Sequence, residues 1–296
     1  MMKPLNILLA VDDSEASLHA CRFVAGYAGD HSALRVTLLN VQRPPWRLSP
    51  DSVAHHAALE AGLRQQGDRE LAPGRALLLA SGHHAAGIVR VGSPADTILD
   101  MARQCDAGVL VMGSGRHGLL GGYAVGSVSL RVAPAADCPV VLVKPGGPLP
   151  GELGVRLRVA APVDGSPEAV QAVRRLVACA GLLGCLHVDL VHFQPGLTLA
   201  EAVLPPHDDV LRQWSGRESD AALRAPAKML ADAGISHEVH RLTGSPEADI
   251  AAFAHRQGAE LIAMGTRGMG AMHHLLLGSA ALKTALASDV PVAFIR

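Results

Sequence analysis

Val163-Asp164-Gly165-Ser166-Pro167-Glu168 answers to Val11-Asp12-Asp13-Ser14-Glu15-Ala16, and the 152 positions from Asp12 to Asp164 recur down the chain. Gly92-Ser93-Pro94 returns as Gly244-Ser245-Pro246, Met112-Gly113 as Met264-Gly265, Gly126-Ser127 as Gly278-Ser279 and Pro139-Val140 as Pro291-Val292, always at that offset. So constant an interval means two copies of one domain, matched element for element with almost no net insertion. The period is far too long for a solenoid unit, so each copy is a domain in its own right, 1–146 and 153–296. Between them runs Pro145-Gly146-Gly147-Pro148-Leu149-Pro150-Gly151. Its prolines neither continue a helix nor donate to a ladder, and its glycines cost order, so it reads as a linker.

Within the first copy, apolar runs fall at residues 7–11, 36–41, 88–91, 109–112 and 140–143. Continuous β-branched and aliphatic runs suit parallel strands buried on both faces. Helical patterns alternate with them: Ala20, Cys21, Val24 and Ala28 share one face, as do Ala172, Val173, Leu176 and Ala180. Ser166-Pro167 and Ser245-Pro246 place a hydroxyl at N-cap and a preset φ at N1. Pro73 and Pro226 are expected to kink or divide the second helix of each copy. Alternating strand and helix predicts an α/β fold of two Rossmann-like or flavodoxin-like domains, each a five-stranded parallel sheet with helices on both faces.

Composition narrows the function. Lys+Arg number 26 against 27 Asp+Glu, and aromatics are 3% of the chain. Such a balance offers no basic footprint for nucleic acid or anionic lipid, and few platforms for stacking bases. The five cysteines (Cys21, Cys105, Cys138, Cys179, Cys185) include no C-x-x-C pair, so they read as small core residues of a reducing compartment. No apolar stretch approaches the ~20 residues a membrane span needs, and residues 1–11 are too short for a signal peptide. The expectation is a soluble, cytoplasmic protein with neither nucleic-acid nor membrane partners.

In open α/β sheets, ligands bind beyond the carboxyl ends of the strands, where the strand order reverses. The polar and glycine-rich residues of both copies collect there: Asp12 and Asp164 after the first strand, Gly113 and Gly265 after the fourth, and Gly126-Ser127 and Gly278-Ser279 opening the next helix. Glycine lets a backbone approach a ligand closely, and a helix start attracts an anion. In the second copy Gly265-Thr266-Arg267-Gly268 is followed, after nine residues, by Gly278-Ser279, an arrangement that suits a polyphosphate.

Gly-x2-Gly-x9-Gly-Ser after the strand Leu261-Ile262-Ala263-Met264 resembles the ATP-binding signature of the universal stress protein family. The opening Val-Asp-Gly-Ser-Pro-Glu of residues 163–168, Gly244-Ser245-Pro246 and the closing Pro-Val-Ala-Phe-Ile of residues 291–295 are similar to that family too. The resemblance implies ATP, ADP or AMP, with Mg²⁺, held by Asp164, Phe193, Met264, Gly265, Gly268, Gly278 and Ser279. By position the counterparts are Asp12, Val41, Gly113, Arg116, Gly126 and Ser127. It places the first-strand aspartate by the nucleoside, and the backbone at Phe193 or Val41 by the adenine edge. It also implies that the final strands of the two copies pair as a pseudo-dimer, and that whole chains form homodimers. The first copy departs from the signature: Arg116 stands at the second glycine position, with Gly115 and Gly118 beside it. One nucleotide per chain, in the second copy, is therefore expected.

Other signals carry less. Residues 113–118 match G-x-G-x-x-G but follow the fourth strand rather than the first, and there is no G-x-x-x-x-G-K-[ST]. The pairs His55-His56, His83-His84 and His273-His274 point to different faces and read as solvated surface, so no metal site is expected. His187 and His192 flank a strand, with His192 near the pocket mouth. Ser14 and Ser166 read as caps rather than nucleophiles. No general base stands beside the glycine loop, so no catalytic residue is assigned and at most slow hydrolysis is expected. The alternatives are a scaffold that binds no nucleotide, or an adenylate-transferring or flavin-binding α/β enzyme.

Overall fold

The computed structural model describes residues 4–26, 34–44, 53–117, 123–150, 156–183, 186–194, 208–266 and 277–296. The chain divides into two compact units, Met1–Pro150 and Gly151–Arg296. Unit 1 runs β1 (Leu5–Ala10), α1 (Glu15–Ala25), β2 (Leu34–Gln42), α2 (Val53–Ala80), β3 (Ala85–Val91), α3 (Pro94–Gln104), β4 (Val109–Gly113), α4 (Ser127–Val132) and β5 (Val140–Val143). Unit 2 repeats it: β6 (Leu157–Pro162), α5 (Pro167–Leu183), β7 (Leu186–Gln194), α6 (Asp208–Asp232), β8 (Ser236–Thr243), α7 (Pro246–Arg256), β9 (Leu261–Gly265), α8 (Ser279–Ala287) and β10 (Val292–Ile295).

Among the described residues each unit holds five parallel strands, ordered β3-β2-β1-β4-β5 in the first and β8-β7-β6-β9-β10 in the second. Leu8, Leu9, Leu38, Leu39 and Leu110 are fully buried in unit 1, as are Val159, Val188, Leu190 and Ile262 in unit 2. Neighbours along one strand face opposite sides, so both faces of these sheets are covered. Among the described residues no helix is long and apolar enough to cross a membrane.

Serine caps open the first helix of each unit: Ser14 Oγ accepts from Ser17 N at 3.2 Å, and Ser166 Oγ from Ala169 N at 3.1 Å. Of the two Ser-Pro helix starts, Ser166 caps as expected and Ser245 does not. Ser245 occupies N-cap of α7 but makes no side-chain cap; its own N–H donates to Asp249 Oδ2 at 2.8 Å. Ser93, its counterpart at α3, turns its hydroxyl to Asp96 instead. Asp96, the third residue of α3, thus takes the Ser93 hydroxyl, and Asp249, the fourth residue of α7, takes the Ser245 backbone N–H.

Pro73 and Pro226 do not divide their helices, which run unbroken as α2 and α6. Packing overrides the local break, since most helical stability comes from a buried face rather than propensity. α2 lies so close to α1 that a Cβ on Gly74, next to Pro73, would stand 2.7 Å from Cys21 Sγ. β3 begins at Ala85, three residues before the apolar run that marks it, because edge-strand residues need not be apolar to pair.

His83 corrects the surface reading of the histidine pairs, and His19 and His192 are buried as well. His83 is buried after α2, where its N–H returns to Leu78 O at 2.9 Å and Gly82 takes φ +82°. That is a Schellman ending, in which the residue after the left-handed glycine folds back onto the helix. His19 is buried with Nε2 at 2.9 Å from Gly147 O. His192 lies inside β7 rather than beside it, and is buried. His84 is exposed, while the backbone of His273-His274 and the side chains of His55-His56 lie outside the described residues.

Candidate functional site

The strand order reverses between β1 and β4 in unit 1, and between β6 and β9 in unit 2. Ala10 is level with Met112 across the first junction, so Asp12 and Gly113 leave neighbouring strand ends; β9 lies against β6 in the same way, with Ala160 level with Ile262. Asp12 with Gly113, and Asp164 with Gly265, thus leave neighbouring strand ends at the switch point of each unit, where a crevice opens in folds of this kind.

Hydrogen bonding shows how the ends of β2 and β7 meet that crevice. Val11 N donates to Leu39 O at 2.8 Å, while Gly92 N donates to Gln42 O at 2.9 Å on the other side. In an extended strand the N–H and C=O of one residue share a side, and sides alternate. Val41 therefore turns both groups toward β1's side, past the point where β1 has ended. The same pattern holds in unit 2. Val163 N donates to Val191 O at 2.8 Å and Gly244 N to Gln194 O at 2.9 Å, which turns Phe193's N–H and C=O toward β6's side. The Phe193 ring goes elsewhere, packing edge-on against Phe253 at 6.3 Å, so only its backbone faces the crevice.

The strand ends are tied by a residue that sequence reasoning misplaced. Asn40 is buried and donates through Nδ2 to Val11 O at 2.9 Å and Glu70 Oε2 at 2.8 Å. His192 stands at the matching position, its Nδ1 at 2.8 Å from Val163 O. It is thus a strut beneath the crevice, not a group at its mouth. The repeat offset alone pairs Asn40 with His192, but only the fold shows what the pair does.

The aspartates shape the turns out of β1 and β6. Asp12 Oδ1 accepts from Ser14 N at 3.1 Å, and Asp164 Oδ1 from Ser166 N at 2.9 Å. The glycines divide by role. A Cβ on Gly113 would stand 2.5 Å from Ala16 C and Ser17 N, so α1 itself demands that glycine. A Cβ on Gly126 would meet only Ser129 Oγ at 3.6 Å, and φ is −63°, so the fold does not demand it. After Gly113, Gly115 takes φ +123°, and Arg116–His117 pairs antiparallel with Tyr123–Ala124. The Arg116 side chain, Gly118 and Gly268 lie outside the described residues.

Both α4 and α8 have glycine at N-cap, Gly126 and Gly278, so neither helix start is capped by the side chain of its own N-cap residue. Gly278 N donates to Thr266 O at 2.9 Å, which brings the ends of the second glycine loop together beside Gly265. Met264 is buried within β9. In unit 1, Ser127 lines a cleft of about 390 Å³ with Arg43, Gly92, Ser93 and Arg131, whereas Asp12 lines another, of about 420 Å³, against α2. The Ser114 hydroxyl, next to Gly113, is buried without a hydrogen-bond partner among the described residues.

A charged pair beside each helix start was not foreseen. Arg131 of α4 reaches Asp96 of α3 at 3.0 Å, and the Ser93 hydroxyl, with Arg131, holds the Asp96 carboxyl below its ordinary range. In unit 2, Lys283 of α8 pairs with Glu247 of α7, and Ser279 also bonds that carboxylate, so its pKa too is lowered. The signal lay in the repeat: both pairs join the third helix of a unit to its fourth, one residue out of step.

A model of the Universal stress protein family matches residues 5–144 and again 156–296. A universal stress protein of Mycolicibacterium smegmatis is 26% identical over 302 residues, spanning 98% of this chain and 97% of its own length. One from Thermus aquaticus is 30% identical over 139 residues, 47% of this chain and 98% of that protein. The crystal structure of a universal stress protein from Archaeoglobus fulgidus covers 98% of both chains with TM-score 0.69 at 22% identity, which shows the fold. With two successive matches covering nearly its whole length, the chain belongs to the universal stress protein family, as a tandem member carrying two copies of its domain.

Proposed function

We propose that unit 2 binds an adenine nucleotide, ATP or its di- or monophosphate, and that its occupancy sets a regulatory state in the stress response. The observation that supports this most is the backbone N–H and C=O of Phe193, turned together past the end of β6. A donor and an acceptor side by side match the acceptor and donor on the edge of an adenine. Across the crevice, the start of α8 at Gly278-Ser279 suits phosphate. Asp164 stands at the intervening strand end, by the sugar. Mg²⁺ would arrive with the polyphosphate and take mainly phosphate and water oxygens, with Asp164 the carboxylate at the adjoining strand end. No side chain of the site is assigned as a general base, so the protein acts by binding rather than by rapid turnover.

One observation favours a second reading, a scaffold that binds no nucleotide: Glu247 already bonds Ser279 at the start of α8. A carboxylate there competes with phosphate for the same hydroxyl. Calorimetric titration with Mg·ATP separates the two. One site per chain, lost in Asp164→Ala and kept in Asp12→Ala, is the expected result. No binding favours the scaffold, and two equal sites, or a site lost only in Asp12→Ala, would overturn the assignment to unit 2.

A further inference from the structure

Two short alternations on neighbouring strands of unit 2 bring four metal-ligating side chains to one face. His187 and Asp189 alternate on β7, and Glu238 and His240 on β8; Asp189 is level with Glu238 in the parallel register. Residues two apart on a strand share a face, and level partners on the next strand share it too. Asp189 is fully buried. His240 Nε2 lies 3.0 Å from Asp189 Oδ1 and 3.7 Å from Glu238 Oε2, and His187 Nε2 lies 3.6 Å from Asp189 Oδ1. One ligand atom each from His187, Asp189 and Glu238 fall within 4.8 Å of one another.

We infer that this cluster is a binding site for a single divalent transition-metal ion of the zinc type, held by His187, Asp189, Glu238 and His240. Bonds of about 2.0–2.1 Å in a tetrahedron put ligand atoms about 3.3–3.4 Å apart. The separations of 3.0, 3.6 and 3.7 Å bracket that value; His187, Asp189 and Glu238 already converge, and His240 completes the set by turning its ring from Asp189 toward the ion. Two imidazoles with two carboxylates form a donor set that zinc accepts.

The surroundings hold these ligands as outer partners of metal sites do. Ser236 Oγ lies 2.9 Å from His187 Nδ1, which leaves Nε2 as the ring atom turned to Asp189. Phe253 packs edge-on against the His240 ring at 5.0 Å. Arg158 forks onto Asp189, Nε to Oδ2 at 2.6 Å and Nη2 to Oδ1 at 2.9 Å, and is itself held by Gln257 Oε1 at 3.0 Å. Both carboxylate oxygens thus accept from Arg158, and Oδ1 is also the one nearest the two imidazoles, so the ion would share Oδ1 with the guanidinium. With neutral histidines, the two carboxylates and one guanidinium leave a net negative charge, which attracts a cation. Entry is open from the sheet edge, where β8 is the last strand of its unit and the Glu238 side chain is 61% exposed.

The fold does not require this cluster. At the matching positions unit 1 carries Arg35, Thr37, Ala86 and Ile88, and builds the same sheet. The site lies on the second and third strands, toward their amino ends, while the crevice of the proposed nucleotide lies beyond the carboxyl ends.

Equilibrium dialysis of the chelator-stripped full chain against zinc, without nucleotide, tests the inference, with cobalt absorption reporting geometry. One zinc per chain and the intense visible bands of four-coordinate cobalt are expected. Glu238→Gln, at an exposed position, should weaken zinc at least tenfold, and Ser236→Ala, an outer partner, by about tenfold. His187→Ala should abolish the cobalt bands. Absence of bound zinc, a six-coordinate cobalt spectrum, or zinc retained undiminished in both Glu238→Gln and His187→Ala would each overturn it.

Discussion

Replacing Arg158 by methionine asks what the buried charge of Asp189 costs when its main partner is removed. In the native unit Asp189 is fully buried, and Arg158 grips it through two bonds of 2.6 and 2.9 Å. Burial pushes the Asp189 carboxyl up, but hydrogen bonds from Arg158 and His240, with the charge of Arg158, outweigh burial and hold it below the ordinary range. Removing one member of a buried pair costs about 3–5 kcal/mol, because the other charge stays behind. Arg158 is one-third exposed and His240 remains at 3.0 Å, so the low end applies: about 3 kcal/mol, or about a hundredfold in the unfolding equilibrium. Replacing both members, Arg158→Met with Asp189→Leu, should recover most of that loss, since an apolar pair leaves no stranded charge. Urea unfolding with chelator present, followed for unit 2, measures each variant. The sign with pH follows from the lowered pKa. The stabilising contribution is complete above the unfolded carboxyl value of about 4, and disappears as pH falls toward the folded value. The gap between wild type and Arg158→Met should thus be full at pH 7 and shrink below about pH 4. A loss under about 1 kcal/mol, or a double variant as unstable as the two single losses summed, would refute the reasoning.

Other outcomes follow from the same geometry. Gly113→Ala forces a Cβ into the backbone of α1 and should cost 1–3 kcal/mol or more, whereas Gly126→Ala should stay within about 1 kcal/mol by thermal unfolding. His192→Ala strands the Val163 carbonyl and should cost about 1–3 kcal/mol, while His192→Asn, which copies Asn40, should lose clearly less. Burial pushes the Cys21 thiol up to about 12, so a thiol reagent at pH 8 should label it only when urea unfolds unit 1. Rapid labelling in the native protein would contradict its placement.

The repeat offset, the apolar runs and the serine turns determined much of this protein without coordinates. They made two α/β domains of parallel strands, and set Asp12, Gly113, Asp164 and Gly265 at strand ends. Such features depend on local pattern and period, which a sequence carries directly. Serine capping was legible at Ser14 and Ser166, whose hydroxyls accept from the third residue of the helix that follows. It was not at Ser93 and Ser245, where Asp96 and Asp249 intervene.

What remained hidden depends on which strands lie side by side. Adjacent histidines in sequence suggested solvated pairs, because neighbours on a strand face opposite ways. The cluster on β7 and β8 instead joins residues 49 to 51 positions apart, Ser236 with His187 and His240 with Asp189, which only strand register brings together. Gly113 and Gly126 look alike in sequence and differ in fact, since the close approach of α1 exists only once the helix has packed. The backbone of Phe193 takes its direction from the alternation of β7 itself, but only the end of the neighbouring β6 decides that its N–H and C=O pass beyond that strand.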